Sequence, residues 1–160
     1  MSNIIATMRF KEGSKVEVLD KREVPCGSWC CAKIVSSNGH YYSVKYDCYS
    51  GDTGVTVERV SRKAIRPCPP PVLSPRCWVP GDIGEVFEKN SWKLAEVSRV
   101  VGANYFFVRL LGSSRKLRVH ISNLRMRLVW EDNTWVVIQK VIPFIDIKIL
   151  HYIFHGSLFS

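Results

Sequence analysis

Four residues in the first half of the chain are of types that together hold a cation: Trp29, Tyr46, Asp47 and Tyr49. Aromatic faces carry a negative quadrupole, so several of them around an ammonium bind it even when it is methylated. A carboxylate beside them adds charge and accepts a hydrogen bond from any remaining N–H. A second constellation is basic, with Arg115, Lys116, Arg118, Arg125 and Arg127 close in sequence to Tyr105. That aromatic and cationic mix suits single-stranded nucleic acid. Each has a plain alternative. An aromatic at a strand end also serves as packing, and a charged strand also serves as a solvated face.

Catalytic groupings are absent from the pattern. Histidines 40, 120, 151 and 155 fall in no nucleophile or metal motif, and no glycine run forms a phosphate loop. Cysteines 26, 30, 31, 48, 68 and 77 contain no Cys-x-x-Cys pair, so zinc-ligand spacing is missing and reduced thiols are expected. The expectation is a protein without enzymatic activity, metal or cofactor.

The elements that must position these residues occur twice. Ser28-Trp29-Cys30-Cys31-Ala32-Lys33-Ile34-Val35 is answered by Ser91-Trp92-Lys93-Leu94-Ala95-Glu96-Val97-Ser98, 63 residues later. Around the first copy lie strand patterns at Val16–Leu19, Tyr41–Tyr46 and Val55–Val60, closed by Ala64-Ile65-Arg66-Pro67. Trp78-Val79-Pro80-Gly81-Asp82 answers Phe10-Lys11-Glu12-Gly13-Ser14, Tyr105–Arg109 answers Tyr41–Lys45, and Leu124-Arg125 answers Ile65-Arg66. Two all-β units of four or five short antiparallel strands follow, at 8–67 and 78–127, joined by a proline-rich linker at 68–77. Tryptophans 130 and 135 flank the turn of a predicted hairpin at 128–140, an exposed surface on which a protein-interaction scaffold could be built. Residues 141–160 carry an apolar run too short to span a bilayer. No membrane partner and no signal peptide are expected.

The spacing between the copies falls from 68 at Phe10/Trp78 to 63 at Trp29/Trp92, and from 64 at Tyr41/Tyr105 to 59 at Ile65/Leu124. Copy two is therefore five residues shorter in each of the two loops that would wall a pocket (68 − 63 and 64 − 59). Leu110-Leu111 also replaces Tyr46-Asp47, which locates the cation site in copy one and makes copy two a brace. Net charge is +9; residues 10–67 carry 10 positive and 7 negative charges, residues 78–127 carry 9 and 4. The second unit is thus the more basic.

The run Phe10 to Val18, Gly27-Ser28-Trp29 before an Ala-Lys-Ile strand, Tyr42–Asp47 and Ala64–Pro67 resemble the plant Agenet domain, and residues 78–95 resemble its tandem partner. That family belongs to the Tudor-like Royal superfamily of bent barrels. The resemblance, over about residues 8–127, implies a nuclear, chromatin-associated reader of methylated lysine on histone tails, with a cage at Trp29, Tyr46, Asp47 and Tyr49. Nucleic-acid or protein binding by other relatives leaves an RNA- or DNA-binding alternative open. A monomer is expected.

Overall fold

Period-two alternation of apolar residues dictates the strands, and the glycine, asparagine and proline clusters between them dictate the turns. The structure, a computed structural model, describes residues 8–24, 26–47, 57–71 and 77–138. Tyr49 and the tail at 141–160 lie outside these. Eleven strands occur among the described residues: β1 Lys15–Asp20, β2 Ser28–Ser37, β3 Tyr41–Tyr46, β4 Val57–Ser61, β5 Ile65–Pro67, β6 Ile83–Glu88, β7 Ser91–Val101, β8 Tyr105–Leu110, β9 Lys116–His120, β10 Leu124–Glu131 and β11 Thr134–Ile138.

All pairings are antiparallel, and the two halves repeat one order: β5-β1-β2-β3-β4, then β10-β6-β7-β8-β9. The long strands β2 and β7 each carry a register shift at the same place, between Ile34 and Ser36 and between Val97 and Arg99. An extra residue there bends the strand, so one half pairs with the preceding strand and the other curls over to the next. Each barrel closes on its own core. The first is built from Phe10, Val16, Val18, Ile34, Tyr42, Val44 and Ile65, the second from Trp78, Val86, Val97, Phe106, Val108 and Leu124.

The second core trades volume between equivalent positions. Where copy one has Phe10 over Val16, copy two has Trp78 over Gly84; a Cβ at Gly84 would stand 2.7 Å from the indole and 2.7 Å from the Arg125 carbonyl oxygen. The difference in loop length is present as expected. Residues 21–27 join β1 to β2, whereas Lys89-Asn90 alone join β6 to β7, with φ of 49° and 58°. Both residues being left-handed marks the mirror-image two-residue hairpin turn that matches strand twist. Asp132-Asn133, at 49° and 59°, make the same turn between β10 and β11.

Two expectations need correcting. The strand that closes the second barrel runs unbroken from Leu124 to Glu131, straight across 127/128, because its first half pairs with β6 and its second with β11. The hairpin is also no free scaffold at Trp135. That ring is buried, 5.1 Å from Trp130 and 5.1 Å from the Arg66 guanidinium.

Candidate functional site

The doubled Ser-Trp strand is the seam between the barrels. β2 and β7 pair antiparallel through Ser28↔Lys93, Trp29↔Trp92 and Cys30↔Ser91, an arrangement close to a local two-fold. Alternation then sends Trp29 and Trp92 to one face of the ribbon and Ser28, Cys30, Ser91 and Lys93 to the other.

On the tryptophan face each indole is covered by an arginine. Arg66 lies 3.9 Å over Trp29, and Arg125 lies 3.9 Å over Trp92. The guanidiniums cross-link two buried carboxylates: Arg66 donates to Glu17 (2.7 Å), Glu85 (3.2 Å) and the Leu128 carbonyl (3.0 Å). Arg125 donates to Glu85 (2.7 Å) and Glu17 (2.9 Å). Glu17 and Glu85 are equivalent positions, as are Arg66 and Arg125, so one glutamate and one arginine from each barrel close the seam.

Trp29 is therefore not a cage wall beside Tyr46. Its parity is opposite to that of Ala32, and Tyr46 pairs with Ala32 on the inward face. The two aromatics stand on opposite sides of the sheet, with an intramolecular cation already over Trp29. Asp47 departs too. It is exposed, holds the Cys31 carbonyl through its backbone N–H at 3.0 Å, and follows Tyr46 with opposite parity. Tyr49 lies outside the described residues. Of the three described residues, Tyr46 alone lines a cavity on the other face of the seam.

That cavity, about 340 Å³, is bounded by Asp20 at the end of β1, Arg22 and Glu23 from the β1–β2 loop, Ser28, Cys30 and Cys31 on β2, Tyr46 at the end of β3, and the Lys89-Asn90 turn with Ser91 of the second barrel. Tyr46 packs partly against the first core, and its hydroxyl donates to Glu58 at 3.0 Å. Burial, then the Glu58 hydrogen bond, push the phenol far above its ordinary range. Arg22 reaches Asp20 at 2.9 Å and Glu58 at 3.4 Å, and its hydrogen bond holds the Asp20 carboxyl below its usual value. Burial raises the Cys30 thiol, and burial and then Glu17 push Cys31 to about 11, so neither is a poised nucleophile.

Copy two fills the equivalent position from within. Lys93 stands where copy one has Cys30; it is 1% exposed, and its Nζ donates to the Glu88 carboxylate and the Glu88 carbonyl, both at 3.1 Å. Leu110 and Leu117 replace Tyr46 and Glu58 in the register. Burial, which raises the Glu88 carboxyl, is outweighed by hydrogen bonds from Arg115 and Lys93, which hold it below its usual value. One barrel is thus plugged by its own ammonium, and the other is open.

The basic constellation splits. Arg125 belongs to the seam, not to a nucleic-acid surface, because both buried glutamates claim it. Arg115 bonds Glu88. Arg127 lines a second cavity of about 260 Å³ with Trp29, Trp92 and Trp130. Lys116, Arg118 and Tyr105 share the outward face of β8 and β9. Reasoning from sequence missed Asp20, Glu23, Cys30 and Glu58; the parity of β2, with Cys30 in step with Ala32 and Ile34, was the available signal. Among the described residues no His, Cys, Asp or Glu group could hold a metal ion, and no helix is long and apolar enough to cross a membrane.

Two bent antiparallel barrels fused edge to edge, with a cleft at the junction, define a tandem Tudor-like interaction module, a class of non-catalytic binding domains. Residues 13–70 match the family model of the Agenet domain, and the second barrel repeats its strand order, an arrangement similar to that of solved tandem Agenet domains. Over 79% of its length it superposes on AGDP1 AGD34 of Arabidopsis thaliana at 26% identity and TM-score 0.70, covering 88% of that chain. ADCP1 tandem Agenet domain 3-4 gives TM-score 0.66 at 26% identity, covering 79% of this chain and 86% of that one. DUF724 domain-containing protein 6 of Arabidopsis thaliana is 29% identical over 145 residues, 86% of this chain and 20% of its own length. Protein AGENET DOMAIN (AGD)-CONTAINING P1 of the same plant is 25% identical over 134 residues, 82% of this chain and 26% of its own length. The chain thus spans about a fifth to a quarter of these relatives.

Proposed function

We propose that the module reads a basic peptide by inserting one lysine side chain, methylated lysine of a histone tail being the ligand class, into the cavity under Tyr46. The observation that carries this reading is Lys93. Copy two holds a lysine ammonium against Glu88, with Glu23 of the first barrel 3.9 Å away across the seam, while copy one carries Cys30 at the equivalent place and offers Asp20 and the Tyr46 ring. The ring supplies the cation–π attraction that survives methylation. The carboxylate supplies charge, and a remaining N–H donates to it. Arg22, 61% exposed in its side chain and standing over Asp20 and Glu58, is the group an incoming cation displaces. A reader of histone tails works in the nucleus.

Calorimetric titration with histone-tail peptides, unmodified and lysine-methylated, tests the reading. Binding of the methylated peptide that is lost in Tyr46→Ala supports it. Absence of binding, or affinity unchanged in Tyr46→Ala, contradicts it.

A further inference from the structure

Outside the seam, the outer face of β7–β8–β9 carries a pattern that the peptide cavity does not use. The inward residues Val97, Phe106, Val108 and Val119 fill the second core, so their neighbours in sequence face solvent. Across that outer face, register places Val101 beside Tyr105 beside His120, then Arg99 beside Phe107 beside Arg118, and then Glu96 beside Arg109 beside Lys116. Arg118 lies 4.1 Å over the Tyr105 ring, and Arg99 lies 4.7 Å over Phe107. His120 meets Tyr105 edge-on at 5.1 Å. The one carboxylate in these rows, Glu96, is closed by Arg109 at 2.6 Å. Arg99, Arg118 and Lys116 remain to face solvent among the aromatic rings.

Same-face residues recur about every 7 Å along a strand and about every 5 Å across strands. The face is therefore a patch of rings overlaid by cations, a backbone-tracking charge combined with stacking platforms. Copy one repeats it only in part. Ser43 stands where copy two has Phe107, and the Tyr41–Arg59 pair, at 4.4 Å, is its lone ring-and-cation counterpart on the equivalent rows.

We propose that the β7–β8–β9 face binds single-stranded nucleic acid. Phosphates contact Lys116 and the guanidinium edges of Arg99 and Arg118, while bases stack on the outer faces of those two guanidiniums, which Phe107 and Tyr105 support from beneath. The face is remote from Tyr46 in the topology, so this activity and peptide reading stand or fall separately.

Fluorescence anisotropy of a labelled twelve-nucleotide oligouridylate, titrated at several salt concentrations, tests it. An RNA duplex of equal length and poly-glutamate serve as competitors. The expected result is single-strand binding whose log affinity falls linearly with log salt. Arg99→Gln with Arg118→Gln should flatten that slope by about 1.4, at about 0.7 for each phosphate that is no longer neutralised. Tyr105→Ala should weaken binding roughly 5- to 150-fold, the equivalent of about 1–3 kcal/mol per stacked base. Tyr41→Ala, on copy one, should leave it unchanged. All these side chains are at the surface, and circular dichroism confirms the fold of each variant. No binding at low salt, preference for the duplex, equal competition by poly-glutamate, or an unaltered affinity in Tyr105→Ala overturns the proposal.

Discussion

Arg66 is the side chain on which the seam depends most. It is 2% exposed, lies against Glu17 and Glu85, donates to the Leu128 carbonyl and covers Trp29. Arg66→Met keeps the length and apolar stem but leaves two buried carboxylates with Arg125 alone. Removing one partner of a buried ion pair costs about 3–5 kcal/mol, because the remaining charge stays desolvated. Three hydrogen bonds at about 1–3 kcal/mol each would reach about 3–9 kcal/mol, and the lower part of that range applies because Arg125 keeps both glutamates partly satisfied. For a folded unit of this size the loss corresponds to roughly 10–20 °C in melting temperature. Arg125→Met should cost less, about 1.5–3 kcal/mol, because that side chain is 16% exposed and water compensates in part. Urea unfolding followed by tryptophan fluorescence measures both. Combining Arg66→Met with Glu17→Gln should cost less than the sum of the two, since the pair is coupled. A loss below about 1 kcal/mol in Arg66→Met, or a larger loss in Arg125→Met, would refute the claim that this cluster holds the barrels together.

Three further outcomes follow from the same geometry. Glu88→Gln leaves buried Lys93 with only the exposed Glu23 carboxylate, 3.9 Å away, and should cost about 1.5–3 kcal/mol at neutral pH. Because Glu88 is held below its ordinary 4.5, the stability it lends is full above that value and lost as pH falls through the lower folded one. The urea midpoints of wild type and variant should therefore converge in acid; a constant gap would contradict the assignment. Cys31, pushed to about 11, has roughly one thiol in a thousand ionised at pH 8, so iodoacetamide followed by peptide mass spectrometry should label exposed Cys26 well ahead of it. Equal labelling would contradict the burial. Arg22→Ala removes the resident cation over Asp20 and should tighten methyl-lysine peptide binding several-fold by calorimetry, whereas weaker binding would make Arg22 a ligand contact instead.

The fold was legible because each copy carries the full set of local signals, and duplication let the weak ones confirm each other. Gly13 and Gly81, Trp29 and Trp92, and Ile65 and Leu124 could be aligned before any pairing was known. Loop lengths were equally readable, since the spacing between the copies falls by five residues (68 − 63 and 64 − 59) across each of the two loops. The site was legible in part. Tyr46 could be chosen from its place at a strand end and its replacement by Leu110. Trp29 misleads because its aromatic type outweighs its parity: Ala32 and Ile34 fix the inward face, which excludes Trp29 and admits Cys30. The seam itself could not be read. Glu17, Arg66, Glu85 and Arg125 lie up to 108 positions apart, and a charged residue in a strand pattern signals solvent unless its partner is known. Arg125 reads as part of a nucleic-acid surface for that reason. Lys93 shows the same limit: parity with Ala95 and Val97 turns it inward, but its charge reads as solvent-facing until Glu88 is known as its partner.

The central claim is that one barrel is open to a lysine where the other is closed by its own. Cys30→Lys installs in copy one the residue that plugs copy two. Calorimetric titration of that variant with a methyl-lysine histone peptide, beside wild type and Trp29→Phe, tests it most directly. The expected result is binding to wild type and to Trp29→Phe, and none to Cys30→Lys. Undiminished binding to Cys30→Lys, or loss confined to Trp29→Phe, would contradict the account.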